Sequence, residues 1–445
     1  MSGKNDFYST LGLTPIINAV GNQTVYGGST PSGDVKAAME AAEDNYIVME
    51  ELFQKTGEYI AKLLGAESGY VTSGAAAAIT LSVAGCMAGT DPEKIATLPR
   101  TDGMKNEILL QKPQRYTYDR CFELSGAKLV EVGSSGHCSK EELEAAINDN
   151  TVAIAYYVQP DNWVSKAVSI EDALEIAHNN NIPLIADAAS QIYPIDYMLE
   201  NAQRADLVCF GAKYFGAPHS SGIVVGKKEY VDKVKAQSFI AYQLEGRNAM
   251  GRPMKLDRQE VIGAVVALEQ WLKMNHEDRF SANIRKQEAI ADQINNIPGV
   301  SSEVTEIPTF IKYSLKVNID SNVMSAKQLA DELANGNPRI MVSPPEDPNA
   351  HVKSDITAAG HGIETGNNFL LINTSEVSES QVNQIGNRIK EILPKNRMVD
   401  RLNKSVFKRK SSVMVVVTPI KLIKAVFFII FQTGVLRYTI SLSNI

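Results

Sequence analysis

Few cysteines, no apolar leader and no unbroken hydrophobic span: each of these lacks closes off a class of protein. The four cysteines, Cys86, Cys121, Cys138 and Cys209, stand far apart, in neither paired nor metal-ligand spacing. A disulfide-stapled fold and a metal site are therefore not expected, and a reduced, cytoplasmic setting is the simplest reading. The first residues, Met1-Ser-Gly-Lys-Asn-Asp-Phe-Tyr8, hold no apolar export core. There is no basic excess: 44 Lys and Arg stand against 51 Asp and Glu, a net charge of −7. A nucleic-acid surface needs a concentrated basic face, so a nucleic-acid partner is not expected. The most apolar stretch, 413–431, is interrupted by Pro419, Lys421 and Lys424. A spanning helix needs about 20 mostly apolar residues in a row, which argues against membrane insertion.

What is present is enough sequence for a large core and two domains. Residues 1–31 are turn-rich, with Gly21, Gly27, Gly28 and Pro31, and read as an N-terminal arm. Residues 32–275 read as a large domain. Its helical periodicity runs from 32 to 65, and strands then alternate with helices. The expected strands are 107–111, 127–132, 152–158, 184–186, 207–210 and 222–225. Helices are expected over 139–148 and 169–179. Such alternation predicts an α/β fold with a mainly parallel sheet covered on both faces. A long helix over 257–296 leads into a smaller α/β unit, 276–395. There, strands are expected at 309–319, 339–342 and 369–373, with helices at 326–334 and 378–393. Residues 396–445 are a basic, then hydrophobic extension outside the core, and no internal repeat is visible.

The chemistry is carried by three segments whose order along the chain matters. In Asp206-Leu-Val-Cys-Phe-Gly-Ala-Lys213, a lysine follows an apolar run and precedes the glycine-rich turn Gly216-Ala-Pro-His-Ser-Ser-Gly222. An amine so placed suits imine formation, which needs a neutral lysine in a confined site. Upstream, Ile182-Pro-Leu-Ile-Ala-Asp187 reads as a buried strand ending in a carboxylate. Further upstream, Tyr70-Val-Thr72 is β-prone. Ser73-Gly74 then turns into the helix-forming Ala75-Ala-Ala-Ala78. Small residues at a helix start let backbone N–H groups close on a phosphate, which the helix dipole also favours. Each piece has a plainer reading, as a strand-end charge, a turn cap or a packed helix start. Together they match what pyridoxal 5'-phosphate requires: a lysine for the aldehyde, a carboxylate for the ring nitrogen and a cradle for the phosphate. In an open parallel sheet these strand ends converge.

The motif set resembles the fold-type-I pyridoxal-phosphate enzymes, in the branch of selenocysteine synthase (L-seryl-tRNA selenium transferase) and D-glucosaminate-6-phosphate ammonia-lyase. The likeness covers about 11–393. It rests on Thr14-Pro-Ile-Ile-Asn-Ala-Val-Gly21, Gly28-Ser-Thr-Pro-Ser32, Thr72-Ser-Gly-Ala75, Ala186-Asp-Ala-Ala-Ser190, Gly211-Ala-Lys-Tyr-Phe-Gly-Ala-Pro218 and Gly251-Arg-Pro-Met-Lys-Leu-Asp257. The resemblance implies an aspartate-aminotransferase-like large domain and a homodimer or higher homo-oligomer. It implies that Lys213 carries the cofactor and that Asp187 holds its ring nitrogen, with Ser190 nearby. Ser73, Gly74 and Ala75 would bind the phosphate, and Tyr116 or Tyr118 would stack on the ring. Arg115 and Arg252 are candidates for substrate anions or for ordinary surface ion pairs. His219 would contact substrate or cap its turn. Two departures stand out. Phe210 replaces a serine usual in the run before the lysine, and Ala217 and His219 alter a Gly-Gly-Pro-Gln turn. Too few residues precede the motifs for the transfer-RNA domain of selenium transferases, so the likeness leans to the ammonia-lyase. The implied substrate is a small phosphorylated amino-sugar acid, which loses water and ammonia to give a 2-keto-3-deoxy acid.

Overall fold

The structure, a computed structural model, describes residues 7–159, 166–244, 246, 248–307, 309–343 and 368–407. Residues Met1–Arg397 form one compact unit and Met398–Ile445 a second. Twelve strands are described: β1 Ile16–Ala19, β2 Ser68–Thr72, β3 Glu107–Gln111, β4 Lys128–Val132, β5 Thr151–Tyr157, β6 Leu184–Asp187, β7 Leu207–Gly211, β8 Gly222–Gly226, β9 Val300–Glu306, β10 Tyr313–Ile319, β11 Arg339–Val342 and β12 Phe369–Ile372.

Seven strands make the main sheet, in the order β2-β8-β7-β6-β5-β3-β4. Neighbours from β7 to β4 pair in parallel. β8 runs antiparallel to both β2 and β7. Every residue of β2, β6, β7 and β8 is buried. A strand covered on both faces has no polar side to alternate with, so these segments read as continuous small or apolar runs. The helix Gly74–Ala88 is apolar nearly all round and buried along most of its length. Gly85 is what lets it lie close to its neighbour. A Cβ there would meet the backbone of Lys233 at 2.9 Å.

A second apolar core joins β9, β10 and β12 with the helices His276–Ile294, Ala326–Ala334 and Glu379–Phe407. These three strands form an antiparallel sheet, in the order β12-β10-β9. Among the described residues, no helix is long and apolar enough to cross a membrane. No group of three His, Cys, Asp or Glu side chains among them could hold a metal.

Several elements differ from expectation, each for a local reason. The arm contains β1, paired in parallel with β11, so its apolar Ile17 and Ala19 are buried in the second core. The stretch 32–65 is two helices, Gly33–Glu43 and Met49–Leu64. The side-chain amide of Asn45 donates to Ala41 O at 2.8 Å just past the end of the first helix. The stretch 257–296 is likewise divided, into Arg258–Lys273 and His276–Ile294. The Asn275 side chain accepts from the N–H groups of Glu277 and Asp278, starting a new helix where periodicity alone implies continuation. β9 was not anticipated, since its Val-Ser-Ser-Glu-Val-Thr-Glu sequence is polar. It lies at the sheet edge, where that is tolerated. The last helix runs on to Phe407, past the expected end at 393. Of the extension 396–445, residues 408–445 lie outside the described residues, as does His361.

Candidate active site

One cavity of about 350 Å³ gathers the strand ends. Its wall includes Ser73, Gly74, Ala75, Tyr116, Tyr118, Asp187, Ser190, Lys213 and His219. Eight of the ten residues selected from sequence therefore converge, and both tyrosines offered for ring stacking are present. Arg115 and Arg252 are not part of this wall. Arg115 is committed to Asp119 and Glu131. Arg252 lies with its guanidinium carbon 5.8 Å from the centre of the Tyr242 ring.

The lysine is held by the turn that follows β7. A short 3-10 turn, Ala212–Phe215, closes on Gly216 at φ 83°, a left-handed conformation that glycine adopts without strain. Lys213 is half-buried, and burial moves its amine below the ordinary lysine range. Its Nζ donates to Thr24 Oγ1 at 3.0 Å, and its backbone carbonyl accepts from Asn22 Nδ2 at 3.2 Å. Both partners come from the N-terminal segment, which sequence reading passed over as an arm. The Asn-Ala-Val-Gly21 motif was the available signal.

Asp187 is buried at the end of β6. Its Oδ1 accepts from Ala189 N at 3.0 Å. Its Oδ2 accepts from the Tyr116 hydroxyl. The Tyr116 ring lies parallel to that of Tyr157, with centroids 4.1 Å apart. Burial, and then the negative charge of Asp187, push the Tyr116 phenol well above its usual range. Cys121, another wall residue, has its thiol pushed up to about 11, first by burial and then by Asp187.

The helix Gly74–Ala88 begins with Gly74 at φ 84°. The Ser73 side chain makes no capping bond, so the first-turn N–H groups are not satisfied by it. β8 brings Gly222 against this turn. A Cβ on Gly222 would stand 2.4 Å from the Gly74 carbonyl carbon. The close approach of two backbones shapes a cradle suited to a phosphate, so the residues present fit pyridoxal phosphate.

His219 sits beside this turn. Burial, and next the charge of Lys213, lower its imidazole pKa. Its Nδ1 is buried without a hydrogen-bond partner. Phe210 is fully buried in the core and does not line the cavity. Alternation along β7 points it away from the face shown by Gly211.

A mainly parallel sheet with a half-buried lysine, a buried carboxylate and a glycine-bounded helix start lining one cavity at its strand ends is the arrangement of a fold-type-I pyridoxal-phosphate enzyme. Comparison with known proteins narrows this. The family profile of L-seryl-tRNA selenium transferase matches residues 48–250. D-glucosaminate-6-phosphate ammonia lyase of Salmonella typhimurium is 31% identical over 340 residues, 74% of this chain and 87% of that protein. The 5'-C-glycyluridine monooxygenase-decarboxylase of a Streptomyces species is 30% identical over 343 residues, 75% of this chain and 83% of its own. A solved structure of D-glucosaminate-6-phosphate ammonia-lyase superposes with a TM-score of 0.72 at 25% identity, covering 89% of this chain and all of that one. The chain belongs to this family of selenocysteine-synthase-like enzymes that includes D-glucosaminate-6-phosphate ammonia lyase, and its cofactor is pyridoxal 5'-phosphate.

Proposed function

We propose that the protein is an ammonia lyase acting by α,β-elimination on a phosphorylated amino-sugar acid such as D-glucosaminate 6-phosphate. The observation that carries this reading is the meeting of Lys213, Asp187 and the Ser73-Gly74-Ala75 turn in one cavity, in a chain 31% identical to such a lyase. Bound pyridoxal phosphate supplies an electron sink for charge developing at the substrate Cα. Ser73, Gly74 and Ala75 would offer backbone N–H groups to its phosphate. Asp187 would accept the ring N–H and keep that nitrogen protonated. Ser190 and Tyr116 line the same cavity and would border the ring.

Lys213 is the base. Burial lowers its pKa, which favours the neutral amine that takes the proton from Cα. As the electron pair moves toward Cβ, the Cβ–O bond breaks and the hydroxyl leaves as water, with a proton returned from the site. His219, whose imidazole is kept neutral, faces the substrate space on the same wall. The enamine is hydrolysed to the 2-keto-3-deoxy acid and ammonia, so the water lost is regained. Neither Arg115 nor Arg252 enters this account.

The purified protein should show the absorption band of a lysine imine and release keto acid and ammonia from D-glucosaminate 6-phosphate. Lys213→Ala should lose both. An intact band with no ammonia from any phosphorylated amino-sugar acid would overturn the substrate assignment. A second reading, selenium transfer to seryl-tRNA, is favoured by the family profile over 48–250. Retention of seryl-tRNA in a filter-binding assay would support it.

A further inference from the structure

The turn after the lysine carries a histidine whose two ring nitrogens meet different surroundings. Its backbone is fixed on either side. Ala217 N donates to Ala212 O at 3.1 Å, and Ser221 donates to Pro218 O through its N–H at 3.0 Å and its hydroxyl at 2.7 Å. The N-terminal segment is tied to the same turn by the Ser29 hydroxyl, which donates to Ala217 O at 2.5 Å. Gly28, next to Ser29, sits against the Nδ1 corner of the His219 ring. A Cβ there would fall 1.9 Å from Nδ1, 2.7 Å from Cγ and 2.8 Å from Cε1. Gly28 also holds φ at 74°, so a side chain at this position is strained as well as blocked. Nδ1 is buried without a hydrogen-bond partner. The ring as a whole is half-buried, its Nε2 is not closed off as Nδ1 is, and it lines the cavity that holds Lys213 and Asp187.

A glycine carries a hydrogen where other residues carry Cβ, and at Gly28 that hydrogen points at Nδ1. A proton on Nδ1 would collide with it and find no acceptor, whereas a lone pair there takes a weak C–H contact. A neutral imidazole holds one N–H, so this contact leaves it to Nε2. The imidazolium needs an N–H at both nitrogens and is barred by the same hydrogen. Burial and the charge of Lys213 act in the same direction, lowering the imidazole pKa. We propose that His219 is a catalytic residue, held by Gly28 as a neutral Nε2–H donor whose acceptor is the hydroxyl oxygen on the substrate Cβ. An anionic oxygen is matched best by a charged donor, which this side chain cannot become. An uncharged hydroxyl is matched by a neutral one. As the Cβ–O bond breaks, charge grows on that oxygen, and a donor already in place stabilises it there. The step balances without a proton from His219. Lys213 Nζ takes the Cα proton, the electron pair of the C–H bond forms the Cα–Cβ double bond, and the proton on Nζ leaves with the hydroxyl as water.

The inference rests on the ammonia-lyase reading, and its two tests keep them apart. The first reads the tautomer in the holoenzyme without substrate, by nitrogen-15 NMR of histidine-labelled protein. The chain has six histidines, and the His219 signal is the one lost in His219→Gln. It should show a protonated Nε2 and a bare Nδ1. A proton on Nδ1, in a neutral or a charged ring, overturns the proposal. The second reads the acceptor. D-glucosaminate 6-phosphate is compared with its 3-chloro analogue, whose chloride departs without a proton and with little need of a donor. The ratio of kcat/KM for hydroxyl over chloride should fall by roughly tenfold in His219→Leu, about 1.4 kcal/mol at the transition state. A general disturbance of the site slows both compounds and leaves the ratio alone. Glutamine, whose amide N–H reaches the place of Nε2–H, should restore most of the ratio. A wild-type ratio in a folded His219→Leu protein overturns the proposal. Release of ammonia from neither compound by the wild type would remove the lyase reading and the acceptor with it, and the nitrogen spectrum would still decide the donor.

Discussion

Lys213 was the most legible residue of the site. An amine in an apolar, glycine-flanked run is chemically conspicuous, and burial gives it the depressed pKa that its use requires. The direction has a kinetic consequence. Burial disfavours the ammonium, so the amine becomes neutral at a lower pH than an exposed lysine at about 10.4. Between the folded and unfolded values the unfolded chain binds more protons, so the cost in stability falls as pH rises through that window. The rate at which cofactor-stripped protein takes up pyridoxal phosphate should therefore rise with pH and level off below the ordinary lysine midpoint. A stopped-flow profile with its midpoint at the exposed-lysine value would contradict this. What could not be read at this scale was spatial. Thr24, Asn22 and Tyr157 carry no chemical label in the sequence, and their place in the site comes from tertiary packing alone. The same limit applies to Arg115, where arginine suggests an anion site but the fold supplies two carboxylates of its own.

At the scale of elements, the buried strands were legible because burial on both faces writes an unbroken apolar run. β9 and β1 were not. The first is a polar edge strand, and the second is four residues recruited by β11 from the far side of the sequence. Helix breaks at Asn45 and Asn275 are side-chain events within one turn, beneath the resolution of periodicity. β8 shows how an element can serve the site without lending it a side chain. It runs against both its neighbours and delivers Gly222 to the Gly74-Ala75 turn, which we propose holds the phosphate. The contact is backbone on backbone, so Gly222→Ala must push the turn open. Cofactor affinity, measured by equilibrium dialysis, should fall at least tenfold, about 1.4 kcal/mol. Native affinity in a folded variant would show that the turn does not hold the phosphate.

At the scale of the molecule, the two apolar cores support, as a proposal, the division into a large unit over 32–275 and a smaller one over 276–395. The surface carries a further clue. Tyr46 is 95% exposed, Ile47 and Val48 follow it, and Phe7, Tyr8, Leu11 and Leu13 are also open to solvent. Large apolar side chains exposed in groups mark contact surfaces more often than monomer surface. A homodimer is the assembly we propose for them. Light scattering at micromolar concentration should give twice the chain mass, and Tyr46→Glu should lower it. A wild-type monomer would remove the proposal.

The bond from Tyr116 to Asp187 also fixes the polarity of the site. Buried and beside a carboxylate, the phenol keeps its proton at every pH at which the protein would be assayed. In this pair it is the donor, and Asp187 Oδ2 the acceptor. The contact thus works like a diode: hydrogen-bond donation runs into Asp187 from the protein side, from the Tyr116 hydroxyl and from Ala189 N.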